Sequence, residues 1–147
     1  MKKQKGFTLI ELMVVIVILG ILAAVIAPRI PQFVNKAKEG RTKGNLATLR
    51  STLNIYYSDN DGRYPVASDN AAFQSCLVPK YLKSLPECET VNTGHGKNND
   101  IGDFDGIVGN NDLGKWGYSP NETSANWGEA WIECTHTDLG NNYWTSY

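Results

Sequence analysis

Apolar and polar positions are unevenly divided along the chain. From Leu12 to Pro28 no side chain is charged, and the first basic residue beyond that run is Arg29. Phe7 to Ala27 makes 21 residues, which at about 1.5 Å per helical residue spans roughly 31 Å, enough to cross a hydrocarbon core. Further on, Leu46, Leu49, Leu53 and Tyr56 recur at the spacing of one face of a 3.6-residue helix, with Lys36, Lys38, Arg41, Lys43 and Arg50 among the polar positions. Such a stripe predicts a helix that packs on the rest of the chain. Gly20 and Pro28 interrupt the apolar run, and a proline inside a helix removes a hydrogen bond and crowds the preceding turn, which predicts a kink. Pro31 repeats that effect. The helix is expected to end near Ser58, where Asp59-Asn60-Asp61-Gly62 supplies turn chemistry.

The remaining pattern is shorter in period. Ala71 to Leu77 predicts a short helix and Tyr81 to Pro86 a packed loop, while residues 93–114 are dominated by Gly, Asn and Asp and predict a long irregular loop. Trp116 and Tyr118 alternate with small residues, Pro120 to Asn126 reads as a turn, and Trp127 to Thr135 alternates again, which predicts strands. On the last strand Ala130, Ile132 and Cys134 share the face expected to cover the helix stripe. Trp127, Glu129, Trp131 and Glu133 share the other, where the two tryptophans are expected to be half exposed between acids.

Charge sets the topology. Lys2, Lys3 and Lys5 precede the apolar run, and a short basic tail stays on the cytoplasmic side, sending the C-terminal bulk outward. Net charge is −1 for the chain and becomes −4 without those three lysines, so nucleic acid is not an expected partner. Cys76, Cys88 and Cys134 all lie in the outward part, where oxidation is permitted. Two of the three are expected to form one intrachain disulfide, and three small buried thiols is the alternative.

A secretory signal peptide shares the basic start and apolar run. The one nearby small-residue cleavage pattern is Val25-Ile26-Ala27, but Pro28 would follow the scissile bond. A cut between Gly6 and Phe7 instead discards a six-residue basic leader and keeps the apolar segment. Gly6-Phe7-Thr8-Leu9-Ile10-Glu11, followed by the uncharged run, resembles the N-terminal signature of the type IV pilin family and the related type II secretion pseudopilins. "DNDGRYP" at Asp59 to Pro65 is similar to the "DNGRYP" that follows the long helix of major, G-type pseudopilins, with one inserted Asp.

The resemblance implies an α+β, pilin-like fold: a long kinked N-terminal helix, transmembrane in its first half, packed on a small antiparallel sheet. Residues 1–6 are then a leader, 7–28 a transmembrane and assembly helix, 29–58 its continuation, and 59–147 a globular domain. It further implies a prepilin peptidase that cuts after Gly6 and methylates the Phe7 amine, with Gly20 and Pro28 as points where the stem loosens. The implied function is a structural subunit, a major pseudopilin of a type II secretion system that assembles into a helical homo-oligomer. Its implied partners are an inner-membrane assembly platform with its ATPase, and minor pilins or pseudopilins. The chain would be single-pass in the cytoplasmic membrane with its N-terminus inside. A type IV pilus subunit for adhesion or motility, and a membrane-anchored binding module, are the alternatives.

Glu11 is the one acid in the stem. An acid in a bilayer needs a partner or a purpose, and cleavage creates an ammonium at Phe7, about 6 Å away along the axis. Within the family the glutamate is thought to neutralise the terminal amine of a neighbouring subunit, which makes Glu11 an assembly residue.

Other chemistry is sparse. With Gly106 set at the glycine of a calcium loop, Asp103, Asp105 and Asp112 fall at ligand positions, but Ile101 stands where the first acid is required, so an EF-hand is excluded. A looser calcium cage from these three aspartates is one reading and a solvated turn cluster the other; no cofactor is required. His95 and His136 have neither metal-ligand spacing nor a nucleophile motif, and an enzyme is not expected.

Overall fold

The computed structural model describes residues 6–147. The chain divides into two compact units, residues 1–35 and 36–147. The fold is α+β, as the sequence pattern predicts. In chain order the elements are α1 (Leu9–Ile26), a 3₁₀ turn (Ala27–Arg29), α2 (Ile30–Asp59), α3 (Asn70–Leu77), β1 (Ile101–Asp103), β2 (Lys115–Tyr118), β3 (Ala130–Glu133) and a C-terminal 3₁₀ turn (Trp144–Ser146).

The first unit holds α1. Apart from Glu11 in the first turn its side chains are apolar around the whole circumference, and none is buried within the chain. At Pro28 the helix tightens into a 3₁₀ turn and then resumes at Ile30, so the missing N–H is absorbed without ending the stem. Gly20 lies in the interior of α1, which runs through it unbroken.

In the second unit α2 buries Glu39, Thr42, Leu46, Leu49, Thr52 and Leu53. This is the predicted stripe, extended by two turns toward the N-terminus through polar residues. Fully covering each leucine is worth roughly 1.5–3 kcal/mol. Thr42 is tolerated there because its hydroxyl donates to the Glu89 carbonyl at 2.9 Å and accepts from the Glu89 N–H at 3.1 Å. The helix ends in a turn in which the Gly62 N–H donates to the Tyr57 carbonyl at 3.0 Å, with Asp61 and Gly62 both left-handed at φ 53° and 77°.

The sheet has the order β1-β2-β3. β2 and β3 are antiparallel, pairing Trp116 with Ile132 and Tyr118 with Ala130. β1 and β2 are parallel, so the sheet is mixed and not the purely antiparallel one expected. Parallel neighbours need a long crossover, and the Asn/Asp/Gly stretch after β1 supplies it without a helix. Leu46, Leu49 and Leu53 meet Phe73, Leu77, Trp116, Tyr118, Ile132 and Trp144 in one core.

Both faces of β3 are buried. Trp131 is 2% exposed and Glu133 fully covered, which corrects the expectation of a half-exposed tryptophan between acids. The cause is the crossover after β1, whose Leu113 and Gly114 N–H groups donate to the Glu133 carbonyl at 3.1 and 2.8 Å. Gly117 leaves the space that the Trp131 ring occupies beside β2, since a Cβ there would stand 2.2 Å from the indole. Trp127 is half-buried against the rings of Tyr57 and Tyr64, with centroids 6.3 and 5.2 Å away.

Candidate functional site

The first candidate is the stem. Thr8 caps α1, and Glu11 is the third helical residue, so the two close a capping box: the Glu11 N–H donates to Thr8 Oγ1 at 3.3 Å, and Glu11 Oε2 accepts from the Thr8 N–H at 2.8 Å. The Thr8 hydroxyl also donates to Glu11 Oε2 at 2.7 Å. Glu11 therefore has local partners in the uncleaved chain. It is exposed, as are Phe7 at 81%, Leu9 and Ile10. Gly6 also lies in the exposed segment before the helix, and residues 1–5 of the expected leader are outside the described residues.

Elsewhere, α2 is tied to the rest of its unit by charge. Glu89 receives Lys38 Nζ at 2.8 Å and Arg41 Nη2, and these cations, Lys38 first, hold its carboxyl below the usual range. Asp138, whose side chain is 1% exposed, accepts Lys43 Nζ at 2.6 Å, the Tyr147 hydroxyl, and the N–H groups of Gly140 and Asn142 at 2.8 and 2.9 Å. Burial alone would raise the Asp138 carboxyl, but Lys43 and these donors drive it well below the ordinary range. Lys43 is correspondingly raised against its own desolvation by Asp138, Glu39 and Tyr147. Arg50 adds bonds of 2.8 Å to the carbonyls of Ala130 and Tyr147. The aromatic tail is thus fastened to α2, with Trp144 fully buried.

The three aspartates proposed for calcium do not converge as one site. Asp103 accepts the Asp105 N–H at 3.0 Å and Asn111 Nδ2 at 2.7 Å, and Asp105 accepts the Ile107 N–H at 2.7 Å and Asn110 Nδ2 at 2.8 Å. These are contacts of a self-bonded loop, further pinned by Glu133, which accepts from the Asn111 N–H at 2.8 Å and from Trp131 Nε1. Asp112 instead joins His95, Cys134 and His136, the one group of three or more His, Cys, Asp or Glu side chains that converges among the described residues. Its carboxyl is lowered, against burial, by the Thr135 N–H and the two histidines. No sequence pattern marks this cluster, because its members are scattered and follow no ligand spacing.

All three cysteines are free thiols, so the expected intrachain pair is not formed in the structure. The expectation rested on count and compartment and carried no geometry. Cys88 and Cys134 are buried in the core while Cys76 is half-buried on α3. Burial pushes the Cys88 thiol up to about 12, helped by neighbouring Cys134, and Cys134 up to about 11.

Comparison with known proteins bears on the stem most directly. The prokaryotic N-terminal methylation motif matches residues 1–27. The chain is 33% identical over 135 residues to the type II secretion system core protein G of Klebsiella michiganensis, covering 78% of this chain and 94% of that one. It is 36% identical over 89 residues to the protein of that name from Klebsiella pneumoniae, covering 59% and 63% of the two chains. It is also 40% identical over 72 residues to the type IV major alpha-pilin of Moraxella bovis, covering 49% and 44%. The chain therefore spans less than two thirds of the Klebsiella pneumoniae relative. No solved structure matches. With a methylation motif opening a wholly exposed helix that is apolar apart from Glu11, and with identity that runs through nearly all of the Klebsiella michiganensis protein, this chain belongs to the type II secretion system core protein G family of pilin-like subunits.

Proposed function

We propose that this chain is the major pseudopilin of a type II secretion system, a structural subunit that polymerises through its N-terminal stem. The observation that carries the reading is α1 itself: 18 residues, apolar on every side after the Glu11 of its first turn, with none buried in the folded chain. A helix with no polar face is covered by lipid or by other helices. The subunit awaits assembly in the cytoplasmic membrane, N-terminus inside, and exchanges lipid for the stems of its neighbours in the filament. Prepilin peptidase cuts the Gly6–Phe7 bond and methylates the new amine; an assembly platform with its ATPase, and minor pseudopilins, complete the machinery.

Glu11 then acts in two settings. Before cleavage its charge is held by the Thr8 N–H and hydroxyl. After cleavage the Phe7 ammonium is a stronger partner, and when that amine belongs to a neighbouring stem the ion pair sets the register between subunits. Opposite charges in a low-dielectric medium attract far more strongly than in water, though desolvation offsets much of the gain.

Glu11→Ala separates these roles from Thr8→Ala. Thr8→Ala weakens the cap and leaves the acid, and is expected to assemble. Glu11→Ala is expected to be cleaved and stable but to yield few or no filaments by electron microscopy and shearing. Normal filaments from cleaved Glu11→Ala protein would remove the assembly role. The match to the Moraxella bovis pilin favours a surface type IV pilus as the second reading. Deleting the gene separates the two: loss of exoprotein secretion supports the pseudopilus, and loss of surface fibres with secretion intact supports the pilus.

A further inference from the structure

We propose that His95, Asp112, Cys134 and His136 form a binding site for a divalent transition-metal ion, zinc by donor set and spacing. The four ligand atoms all lie within 4.8 Å of one another. His95 Nε2 is 3.1 Å from Asp112 Oδ1, His136 Nδ1 is 3.3 Å from that oxygen, and Cys134 Sγ is 3.5 Å from His136 Nδ1. Zinc bonds of about 2.0–2.3 Å at tetrahedral angles put neighbouring donors roughly 3.3–3.7 Å apart. Three of the six donor pairs are therefore already near the dimensions of a tetrahedral shell, and with every pair within 4.8 Å the group closes around an ion through side-chain shifts of up to about 1 Å.

The surroundings hold the donors in place. Cys134 is fully buried at the end of β3. Asp112 is oriented by the Thr135 N–H, which donates to its Oδ1 at 3.0 Å, an outer bond of the kind that fixes metal-binding carboxylates. Gly114, at φ +63°, leaves the space that the His95 ring occupies, since a Cβ there would stand 2.4 Å from His95 Cβ. Two imidazoles, one thiolate and one carboxylate favour zinc or its neighbours over calcium, which takes oxygen donors. Binding releases the Cys134 thiol proton to solvent and leaves Sγ as the thiolate ligand. Because the ligands come from the loop before β1, the crossover before β2 and the segment after β3, the ion ties three separate stretches together.

The test uses the full chain in detergent micelles, stripped with a chelator and kept reduced by a phosphine. Zinc affinity is measured against a chromophoric competitor, and cobalt(II) is substituted to read the ligands. One zinc per chain is expected, with a sulfur-to-cobalt charge-transfer band and tetrahedral visible bands. Outer-shell changes alone cost about 10–100-fold in affinity, so His136→Gln and Cys134→Ser are each expected to lose at least about 100-fold. Cys88→Ser is expected to bind like the parent and to show the same cobalt spectrum. Tryptophan emission checks that each variant is folded, and Asp112→Asn provides a second ligand change should Cys134→Ser fail that check. A parent chain that binds zinc no more tightly than folded His95→Gln/His136→Gln, or a cobalt complex without the sulfur band, would overturn the site. Equal loss in Cys88→Ser would overturn this ligand set.

Discussion

Changing Asp138 to asparagine tests how the tail is fastened to the helix. The carboxylate accepts from Lys43 Nζ at 2.6 Å, from the Tyr147 hydroxyl and from two backbone N–H groups, with its side chain 1% exposed. Asparagine keeps the shape and one accepting oxygen but loses the charge and turns an NH₂ toward these donors. A hydrogen bond to a charged group contributes about 1.5–3 kcal/mol. Lys43 retains Glu39, so the loss stays below the roughly 3–5 kcal/mol of an orphaned buried charge. The expected cost is about 2–3 kcal/mol at neutral pH. In a cycle with Lys43→Met the expected coupling is about 1–2 kcal/mol, reduced because the lysine side chain is 29% exposed.

The sign with pH follows from the shifts. The Asp138 carboxyl is depressed in the folded chain, so its contribution is complete above the unfolded value of about 3.9 and fades as pH falls below it. Lys43 is raised, so its contribution is complete below about 10.4 and fades only in stronger alkali. The gap between parent and Asp138→Asn should therefore be flat from about pH 5 to 9 and narrow toward pH 2.5. Urea unfolding of the full chain in micelles reads this cleanly, because all four tryptophans lie in the second unit. A gap that stays constant into acid, or a coupling below about 0.5 kcal/mol, would refute the clamp.

Two further substitutions probe the core. Leu49→Ala, at a fully covered position of the α2 stripe, should cost about 2–5 kcal/mol in the same urea assay. Gly117→Ala places a methyl 2.2 Å from the Trp131 indole, and should cost at least about 1–3 kcal/mol and red-shift the emission as the ring leaves its site.

The stem and the core stripe were readable because each is written in consecutive or regularly spaced residues. The uncharged run gave α1, Pro28 gave the change of helix, and Leu46, Leu49 and Leu53 gave the buried face. Polarity misled at β3, where alternation placed Trp131 half exposed on a face shared with the acid Glu133. A crossover rich in Asn, Asp and Gly covers that face and satisfies the acid with its own N–H groups, which no local pattern encodes. The same crossover makes β1 and β2 parallel. The convergence of His95, Asp112, Cys134 and His136 is likewise a product of tertiary folding, since the residues are scattered from 95 to 136.

Assembly through Glu11 depends on the new amine, so the most direct measurement is the intact mass of the chain after co-expression with a prepilin peptidase. A mature protein beginning at Phe7 and carrying one N-terminal methyl group is expected, with a Gly6 substitution blocking the change. A chain that retains Met1 to Gly6 beside an active peptidase would contradict it.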